Sequence, residues 1–264
     1  MLKKRIIAAL WGIPLLIAVI SFGEPWFSAI VAACGLLALF EFYRLIAATK
    51  MPPMTYFGLV WALLFIISPH FEYFFYVPLL LTTMVILPLI WLLFYPNREQ
   101  AFTRWAWTIA GIIYIGWLLS HLVALRGLAD GKGWVFFALF TNFASDTGAF
   151  FIGKAMGRHH LFPSISPGKT WEGAIGGIFS AFAASLLLVF IFNLPLSYWQ
   201  AILLGLAISI FGQLGDLVES LFKRNTGVKE ASHILPGHGG MLDRIDSVVF
   251  SVIVVYYYVV WVIL

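Results

Sequence analysis

Apolar runs, most of them close to 20 residues long, follow one another along this chain from end to end. A helix needs about 20 mostly apolar residues to cross the hydrocarbon core of a bilayer. The composition agrees, because 62% of the 264 residues are hydrophobic and only 11% are charged, whereas soluble domains carry about 25% charged residues. The sequence therefore predicts an all-α integral membrane protein, built as a polytopic helical bundle.

Nine runs are apolar enough to be predicted as transmembrane helices. The uncharged stretch from residue 173 to 215 is too long for one crossing, and the polar and proline-containing residues 193–197 divide it in two. The run at 134–152 gives the weakest signal, because it contains Asn142 and Asp146. The predicted spans are 6–22, 26–46, 54–70, 74–95, 105–125, 134–152, 172–192, 198–219 and 245–264.

The basic residues predict the orientation of these spans. With the first residue in the cytoplasm, 14 of the 16 Lys and Arg residues fall in cytoplasmic segments, and only Arg126 and Lys132 fall outside. Cytoplasmic loops of membrane proteins carry an excess of Lys and Arg, which supports this orientation. The net charge of +4 then reflects topology and anionic ligands, and we expect no nucleic-acid partner.

Both long cytoplasmic loops, at 153–171 and 220–244, lie in the second half of the chain. We therefore predict a transmembrane scaffold at 1–126 and a catalytic region at 127–264, both within one integrated membrane domain. A polar cleft that faces the cytoplasm is expected between the helices.

Ionisable side chains inside a span are functional candidates, because burying a charge in the bilayer costs about 3 kcal/mol on insertion scales. Asp146 is the first of these, beside Ser145 in an apolar run. We predict that Asp146 binds a ligand or a metal. The alternative is an Asp that caps a broken helix or pairs with a lysine.

The segment SISPGKTWEG is the second candidate, with Ser166, Gly168, Lys169 and Thr170. It looks like the end of a P-loop, but Pro163 stands where that motif requires glycine. What remains is a turn that enters a helix, where free backbone N–H groups, a lysine and hydroxyls can bind an anion. The alternative is helix capping by Thr170.

The third candidate is a polar stripe formed by Asp216, Glu219, Ser220 and Lys223, whose spacing places them on one face of a helix. Two carboxylates and a lysine that leave the membrane on one stripe indicate an ion or phosphate site. A salt-bridged face at the membrane interface is the alternative.

The segment LPGHGGMLDRIDS is the fourth candidate. His238 and the two glycines after it form a loop that can approach a ligand closely. Asp243, Arg244 and Asp246 follow at the start of the last span. The helix dipole favours a carboxylate at that position in any protein, but it does not account for Arg244.

The four candidates together supply carboxylates from different helices on one side of the membrane, with Lys, Arg and His nearby. This inventory is typical of Mg²⁺-assisted phosphoryl or nucleotidyl transfer, because Mg²⁺ prefers carboxylate and phosphate oxygens and basic groups neutralise phosphate charge. The sequence contains neither a Cys/His cluster with zinc spacing nor a G-x-S-x-G motif.

The stretch SLFKR, followed by Lys229 and then LPGHGGMLDRID, resembles the signature of the phosphatidate cytidylyltransferase (CDP-diacylglycerol synthase) family. The upstream blocks SDTGAF, SISPGKTWEG and GQLGDLVES are similar to that family as well, so the resemblance covers the whole chain. Glu230 stands where the family usually has Asp, which keeps the charge.

The resemblance implies that CTP and phosphatidic acid react to give CDP-diacylglycerol and pyrophosphate, an Mg²⁺-dependent step of phospholipid biosynthesis. It also implies an enzyme of the bacterial inner membrane whose active site faces the cytoplasm. The nucleophile is an anionic phosphate monoester, so no strong general base is needed. The catalytic problem is to bring several negative charges together.

The resemblance further implies roles for individual residues. Asp216, Asp243 and Asp246 are expected to hold Mg²⁺, and a second metal or a monovalent cation beside it stays open. The expected catalytic residues are Asp216, Asp243, Lys223, Arg244 and His238. The expected substrate-binding residues are Lys169, Thr170, Ser166, Gly168, Arg224, Ser220 and Asp146.

Two other functions compete with this hypothesis. A CTP-dependent polyprenol or phytol kinase would transfer the γ-phosphate to an alcohol and release CDP instead of pyrophosphate. A secondary transporter would also carry intramembrane carboxylates, but near the middle of the membrane and within internal repeats. Membrane lipids are expected partners in all cases, and a homodimer is an alternative to the monomer.

Overall fold

The computed structural model describes residues 2–71, 73–94, 100–228, 232 and 239–264, with the side chains of all of these except 2–11 and 73–75. Most of this chain is helical, because in lipid a helix pairs its backbone N–H and C=O groups within itself. The helices are α1 (Leu2–Phe22), α2 (Trp26–Ala48), α3 (Thr55–Ile67), α4 (Tyr73–Leu93), α5 (Ala101–Gly111), α6 (Leu118–Gly127), α7 (Gly131–Met156), α8 (Trp171–Phe192), α9 (Tyr198–Asn225) and α10 (Leu242–Tyr258). The one-turn segment Ser68–His70 extends α3, while the π-helical segments Ile112–Trp117 and Val259–Ile263 join α5 to α6 and extend α10.

Each of the nine predicted spans overlaps one of these helices, a helix and its extension or, for 105–125, α5 and α6 with the segment that joins them. In the described part of the chain, seven helical segments are long and apolar enough to cross a membrane. Of the other two predicted spans, one corresponds to α1, whose part with described side chains is the apolar segment Gly12–Phe22, and the other to the shorter apolar helix Thr55–His70. The prediction of an all-α polytopic membrane protein is confirmed, as is the break at residues 193–197, which separates α8 from α9.

The chain divides into two compact units. The first comprises Met1–Ala124 and Thr226–Asp243, and the second comprises Leu125–Asn225 and Arg244–Leu264. The predicted functional division between residues 126 and 127 stays a prediction.

Large aromatic side chains fill the first unit. Phe42 and Tyr43 of α2 are fully buried, and the Tyr43 hydroxyl donates a hydrogen bond to the main-chain oxygen of Thr108 (2.7 Å). The ring of Tyr43 lies so close to α3 and α5 that a Cβ added at Gly58 or Gly111 would lie 2.2 or 2.4 Å from its atoms. Here an aromatic ring fills the space that glycines leave on two neighbouring helices.

Glycine and serine bring the helices of the second unit together. A Cβ added at Gly148 of α7 would lie 1.9 Å from Ser180 Oγ of α8, and one at Gly205 of α9 would lie 2.8 Å from Ser185 Oγ of α8. Small residues allow such close approach between helices in the membrane. Polar side chains are consequently buried where these helices meet.

A short antiparallel hairpin connects α7 to α8, formed by β1 (His160–Phe162) and β2 (Ser166–Thr170). The sequence predicted only a turn over β2, and the structure corrects this. The strand pairs His160 with Thr170, and the ladder continues where the N–H of Trp171 donates to the main-chain oxygen of His159 (2.9 Å). A short polar strand of this kind has no periodicity that would reveal it, because its partner is what makes it a strand.

Candidate active site

Asp216 lies on α9 and forms an ion pair with Lys169 of β2. The Lys169 Nζ lies 2.9 Å from Asp216 Oδ2 and donates a hydrogen bond to the main-chain oxygen of Gln213 (3.2 Å). The Asp216 side chain is 39% exposed and that of Lys169 is 22% exposed. The structure thus joins two predicted site residues from separate elements and leaves both accessible to a ligand.

Glu219 and Lys223 form a second ion pair on the same face of α9. Glu219 is fully buried and the Lys223 side chain is 14% exposed. Ser220 donates a long hydrogen bond to Asp216 Oδ1 (3.5 Å). The predicted polar stripe is therefore present, and its salt-bridged alternative holds for Glu219 and Lys223. Contact between Lys223 and a phosphate stays a prediction.

Asp146 on α7 is held by two side chains. Ser247 of α10 donates from Oγ to Asp146 Oδ2 (3.2 Å). Asn142, one turn before Asp146, donates from Nδ2 to Ser247 Oγ (2.9 Å) and to Asp146 Oδ2 (3.4 Å). The adjacent Asp246 is buried, with 8% exposure, and accepts the N–H of Ser247 (2.7 Å). Asn142 and Ser247 thereby set the position of the carboxylate on α7 relative to α10.

Three carboxylates of the second unit lie within electrostatic range of one another. Asp216 repels both Asp146 and Asp246, whereas Lys169 and Arg244 attract Asp146. The structure therefore brings together predicted residues from α7, β2, α9 and α10. This grouping is an anionic site with cationic side chains beside it, which suits a ligand that combines phosphates with a divalent cation.

The donor atoms of this site fit Mg²⁺. Among the residues that the structure describes, no three His, Cys, Asp or Glu side chains are close enough to hold a metal by themselves. Mg²⁺ does not require such a cage, because proteins usually bind it through one or two carboxylates, waters and substrate phosphates. Asp146, Asp216 and Asp246 offer carboxylate oxygens of this kind.

The hairpin contributes three further predicted residues. Thr170 is buried, with 9% exposure, and its hydroxyl accepts the N–H of Gly173 (3.1 Å). Thr170 is thus the N-cap of α8, as the capping alternative predicted. Ser166 is partly buried and Gly168 is exposed. Because the Thr170 hydroxyl and the main-chain oxygen of His159 already accept two N–H groups at the start of α8, fewer remain for an anion than the sequence predicted.

Arg224 fixes the hairpin to the end of α9. Its Nε donates to the main-chain oxygen of Ile165, in the turn between the two strands (3.1 Å). The predicted phosphate-binding role of Arg224 would use its other N–H groups. Together with the Lys169–Asp216 pair, this bond attaches the hairpin to α9 at two points.

The remaining candidates, Asp243, Arg244 and His238, lie at the start of α10 or before it. Asp243 accepts the N–H of Gly240 at Oδ2 (2.8 Å), and Gly239 has a φ of +79°, which favours glycine. Asp243 and both glycines belong to the first unit, and the predicted catalytic and Mg²⁺-binding roles of Asp243 stay predictions. Arg244 is exposed on α10. His238 lies outside the described residues, so its role stays a prediction.

Some polar residues of this region were not among the predicted site residues. Gln213 donates from Nε2 to Ser209 Oγ (3.0 Å) and to the main-chain oxygen of Ala174 (3.3 Å). Ser209 in turn shares a hydrogen bond with Ser145 (2.7 Å). Ser209 and Gln213 could have been found from the sequence, because a hydroxyl and an amide four residues apart lie on the same face of an apolar helix.

Glu41 is also absent from the predicted site residues. It lies in the middle of apolar α2 and is fully buried. Its carboxylate accepts the N–H of Leu242 (2.8 Å) and the hydroxyl of Ser232. The sequence does indicate Glu41 as a functional candidate, because it is a carboxylate inside a predicted span.

Comparison with known proteins finds similarity to cytidylyltransferases, both in a family model and in individual relatives. Residues 3–262 match the family described as "Cytidylyltransferase family". The chain is 32% identical to the phosphatidate cytidylyltransferase of Bacillus subtilis (strain 168) over 271 residues, 97% of each chain. It is 42% identical to the phosphatidate cytidylyltransferase of Staphylococcus haemolyticus (strain JCSC1435) and 40% identical to that of Staphylococcus aureus (strain COL), each over 154 residues and 58% of either chain.

Proposed function

The chain belongs to the cytidylyltransferase family, and we propose that it converts CTP and phosphatidic acid into CDP-diacylglycerol and pyrophosphate. Its relatives in Bacillus and Staphylococcus bear the name phosphatidate cytidylyltransferase. The observation in the structure that carries the proposal is the grouping of Asp146, Asp216 and Asp246 with Lys169. Such a site serves a reaction in which charged phosphates must be brought together.

The chemistry needs charge neutralisation more than proton transfer. A phosphate oxygen of phosphatidic acid attacks the α-phosphorus of CTP, and the bond from that phosphorus to the bridging oxygen of pyrophosphate breaks. The attacking oxygen is already anionic, so no base has to remove a proton from it. Lys169 faces Asp216 at a partly exposed position, where its ammonium group can contact a phosphate and reduce the repulsion between the two substrates.

Mg²⁺ is the cation that we propose for this site, with Asp216 and Asp246 as its protein ligands and Asp146 beside them. When bound, it would polarise phosphate oxygens and neutralise the charge on the leaving pyrophosphate. Arg244 and Lys223 act electrostatically on Asp146 and Asp246 respectively. We propose that these two residues, with Arg224, balance the charge of the bound triphosphate.

The location of the reaction follows from the topology that we predict. Phosphatidic acid lies in the bilayer with its phosphate at the headgroup level, and CTP is a soluble nucleotide of the cytoplasm. We propose that the protein resides in a bacterial inner membrane, with Lys169 and Asp216 on the cytoplasmic side.

Radiolabelled CTP distinguishes this function from its alternatives. Purified protein in phospholipid micelles is incubated with phosphatidic acid and with CTP labelled at either the α- or the γ-phosphate. Label from the α-position should enter the lipid, and label from the γ-position should appear in pyrophosphate. EDTA should abolish both products, and excess Mg²⁺ should restore them.

Other label distributions would refute the proposal. A γ-label in the lipid together with release of CDP would identify a lipid kinase. The absence of any turnover, with solute uptake into proteoliposomes, would identify a transporter. Asp216→Asn, purified in the same way, provides the inactive control.

A further inference from the structure

One carboxylate lies far from the proposed substrate-binding residues in sequence and is nonetheless fully buried. Glu41 has no exposed surface and is surrounded along α2 by apolar residues. A buried carboxylate is costly unless hydrogen bonds satisfy it. The groups that satisfy Glu41 therefore indicate what it is there to hold.

Both oxygens of Glu41 accept hydrogen bonds, one from Ser232 and one from the first residue of α10. The Oε2 atom accepts the N–H of Leu242 (2.8 Å), and the Oε1 atom accepts the hydroxyl of Ser232. All three residues belong to the first unit. Leu242 is the first residue of α10, so its N–H is one of those that a helix cannot satisfy internally.

Glu41 is thus the N-terminal cap of a helix that begins 201 residues later in the chain. A negative charge at this end of a helix is further favoured by the helix dipole. Directly after Leu242, the helix carries Asp243, which belongs to the same unit. Because consecutive residues of a helix are rigidly connected, a bond that fixes Leu242 also fixes the position of Asp243.

We propose that Glu41 is a positioning residue, which holds Ser232 and the start of α10 in the geometry required for nucleotidyl transfer. This inference rests on the proposed function. Glu41 does not act as a base or as a metal ligand in this role, because the chain itself occupies both of its oxygens.

Three variants test the role of Glu41. Glu41→Ala removes both hydrogen bonds and should lower kcat at least about tenfold, since small misplacements of reacting groups have large effects on rate. The KM for CTP should change less than about threefold. Glu41→Gln keeps an acceptor for Leu242 and can donate to Ser232, so it should restore most of kcat. Ser232→Ala removes one bond and should fall between the two.

Glu24→Ala is the matched control. Glu24 immediately precedes the N-terminal end of α2, is partly exposed and contacts Ser28 and His70. Its loss should leave kcat within about twofold of the wild type. An equal loss of kcat in Glu24→Ala and Glu41→Ala would overturn the proposal, as would a Glu41→Ala variant with unchanged kcat.

Hydrogen–deuterium exchange supplies a measurement that does not depend on activity. The amide of Leu242 should exchange at least about tenfold faster in Glu41→Ala than in the wild type, and at an intermediate rate in Glu41→Gln. If wild-type protein makes no CDP-diacylglycerol, the proposed function fails, while the exchange rates still decide whether Glu41 caps α10. If Glu41→Ala does not fold, unchanged kcat and unchanged exchange in both Glu41→Gln and Ser232→Ala would overturn the proposal.

Discussion

The two units of this protein bury polar groups in different ways. In the first, large aromatic rings such as that of Tyr43 pack against glycines of neighbouring helices, and Tyr43 and Glu41 each form a hydrogen bond to the main chain. In the second, glycines bring the helices together, and Asn142, Ser145 and Ser209 bond to other side chains. Bulky packing maintains the positions of helices, whereas small-residue packing leaves space for a network that maintains the positions of charged side chains.

Two carboxylates of α9 also differ from each other, in exposure and in the origin of their charge partner. Asp216 is partly exposed and pairs with Lys169 from the hairpin, whereas Glu219 is fully buried and pairs with Lys223 of its own helix. A pair between separate elements can open to admit a ligand. A buried pair within one helix can open only at the cost of an unpaired charge.

Replacing each carboxylate of α9 by its amide should separate activity from stability. Asp216→Asn should lower kcat about a hundredfold or more, because it removes charge from the proposed Mg²⁺ site, with little change in melting temperature. Glu219→Gln should lower the free energy of unfolding by about 3 kcal/mol, since it leaves Lys223 without its charge partner. Turnover assays and thermal melts in detergent measure both effects. Near-normal turnover by Asp216→Asn would remove that residue from the site.

Asp243→Asn tests whether the first unit takes part in the chemistry. The amide oxygen can still accept the N–H of Gly240, as the carboxylate does, so the loop should keep its structure. We expect a loss of kcat of about a hundredfold from the missing charge alone. Full activity of a folded Asp243→Asn protein would remove Asp243 from the chemistry.

Two glycine-to-alanine substitutions compare the packing of the units directly. A Cβ at Gly212 would lie 2.1 Å from Asn142 Oδ1, and one at Gly116 would lie 2.7 Å from the Cα of Ala62. Gly212→Ala should displace Asn142 from Asp146 and lower kcat about tenfold. Gly116→Ala should instead push α3 away and destabilise the protein by about 2 kcal/mol. Its kcat should be normal when it is measured at a temperature well below the melting temperature. The reverse pattern would contradict the contrast between the units.

Thr170→Ala should produce the smallest effect. Loss of the N-cap of α8 should destabilise the protein by about 1 kcal/mol, and Thr170→Ser should keep the cap. If Thr170 also contacts a phosphate of CTP, the KM for CTP should rise for the alanine variant and stay unchanged for the serine variant. An unchanged KM in both would leave Thr170 with the capping role alone.

Much of the helical architecture could be predicted from the sequence. Lipid leaves a buried chain few ways to satisfy its backbone, so the length of each apolar run is enough to indicate a helix. The polar stripe of α9 was predictable for a similar reason, because residues at i, i+3 and i+4 share a helix face regardless of their surroundings.

Contacts between distant segments were not predictable in the same way. The sequence does not indicate that Lys169 pairs with Asp216, since the hairpin that carries Lys169 exists only through its partner strand. It likewise does not indicate that Asp216 and Glu219, three residues apart on one face, differ in exposure. Glu41 could have been identified as a candidate from the sequence, because it is a charged residue within an apolar span. Its hydrogen bond to Leu242 is visible only in the folded structure.

The length of α9 can be compared with the thickness of the bilayer. Its 28 residues extend about 42 Å, whereas the hydrocarbon core is about 30 Å thick. The exposed Tyr198 and Trp199 at its start are typical of one membrane–water boundary, and Asp216 lies about 27 Å further along the axis. We therefore expect α9 to hold the Asp216 carboxylate near the opposite boundary, the level at which a phospholipid carries its phosphate.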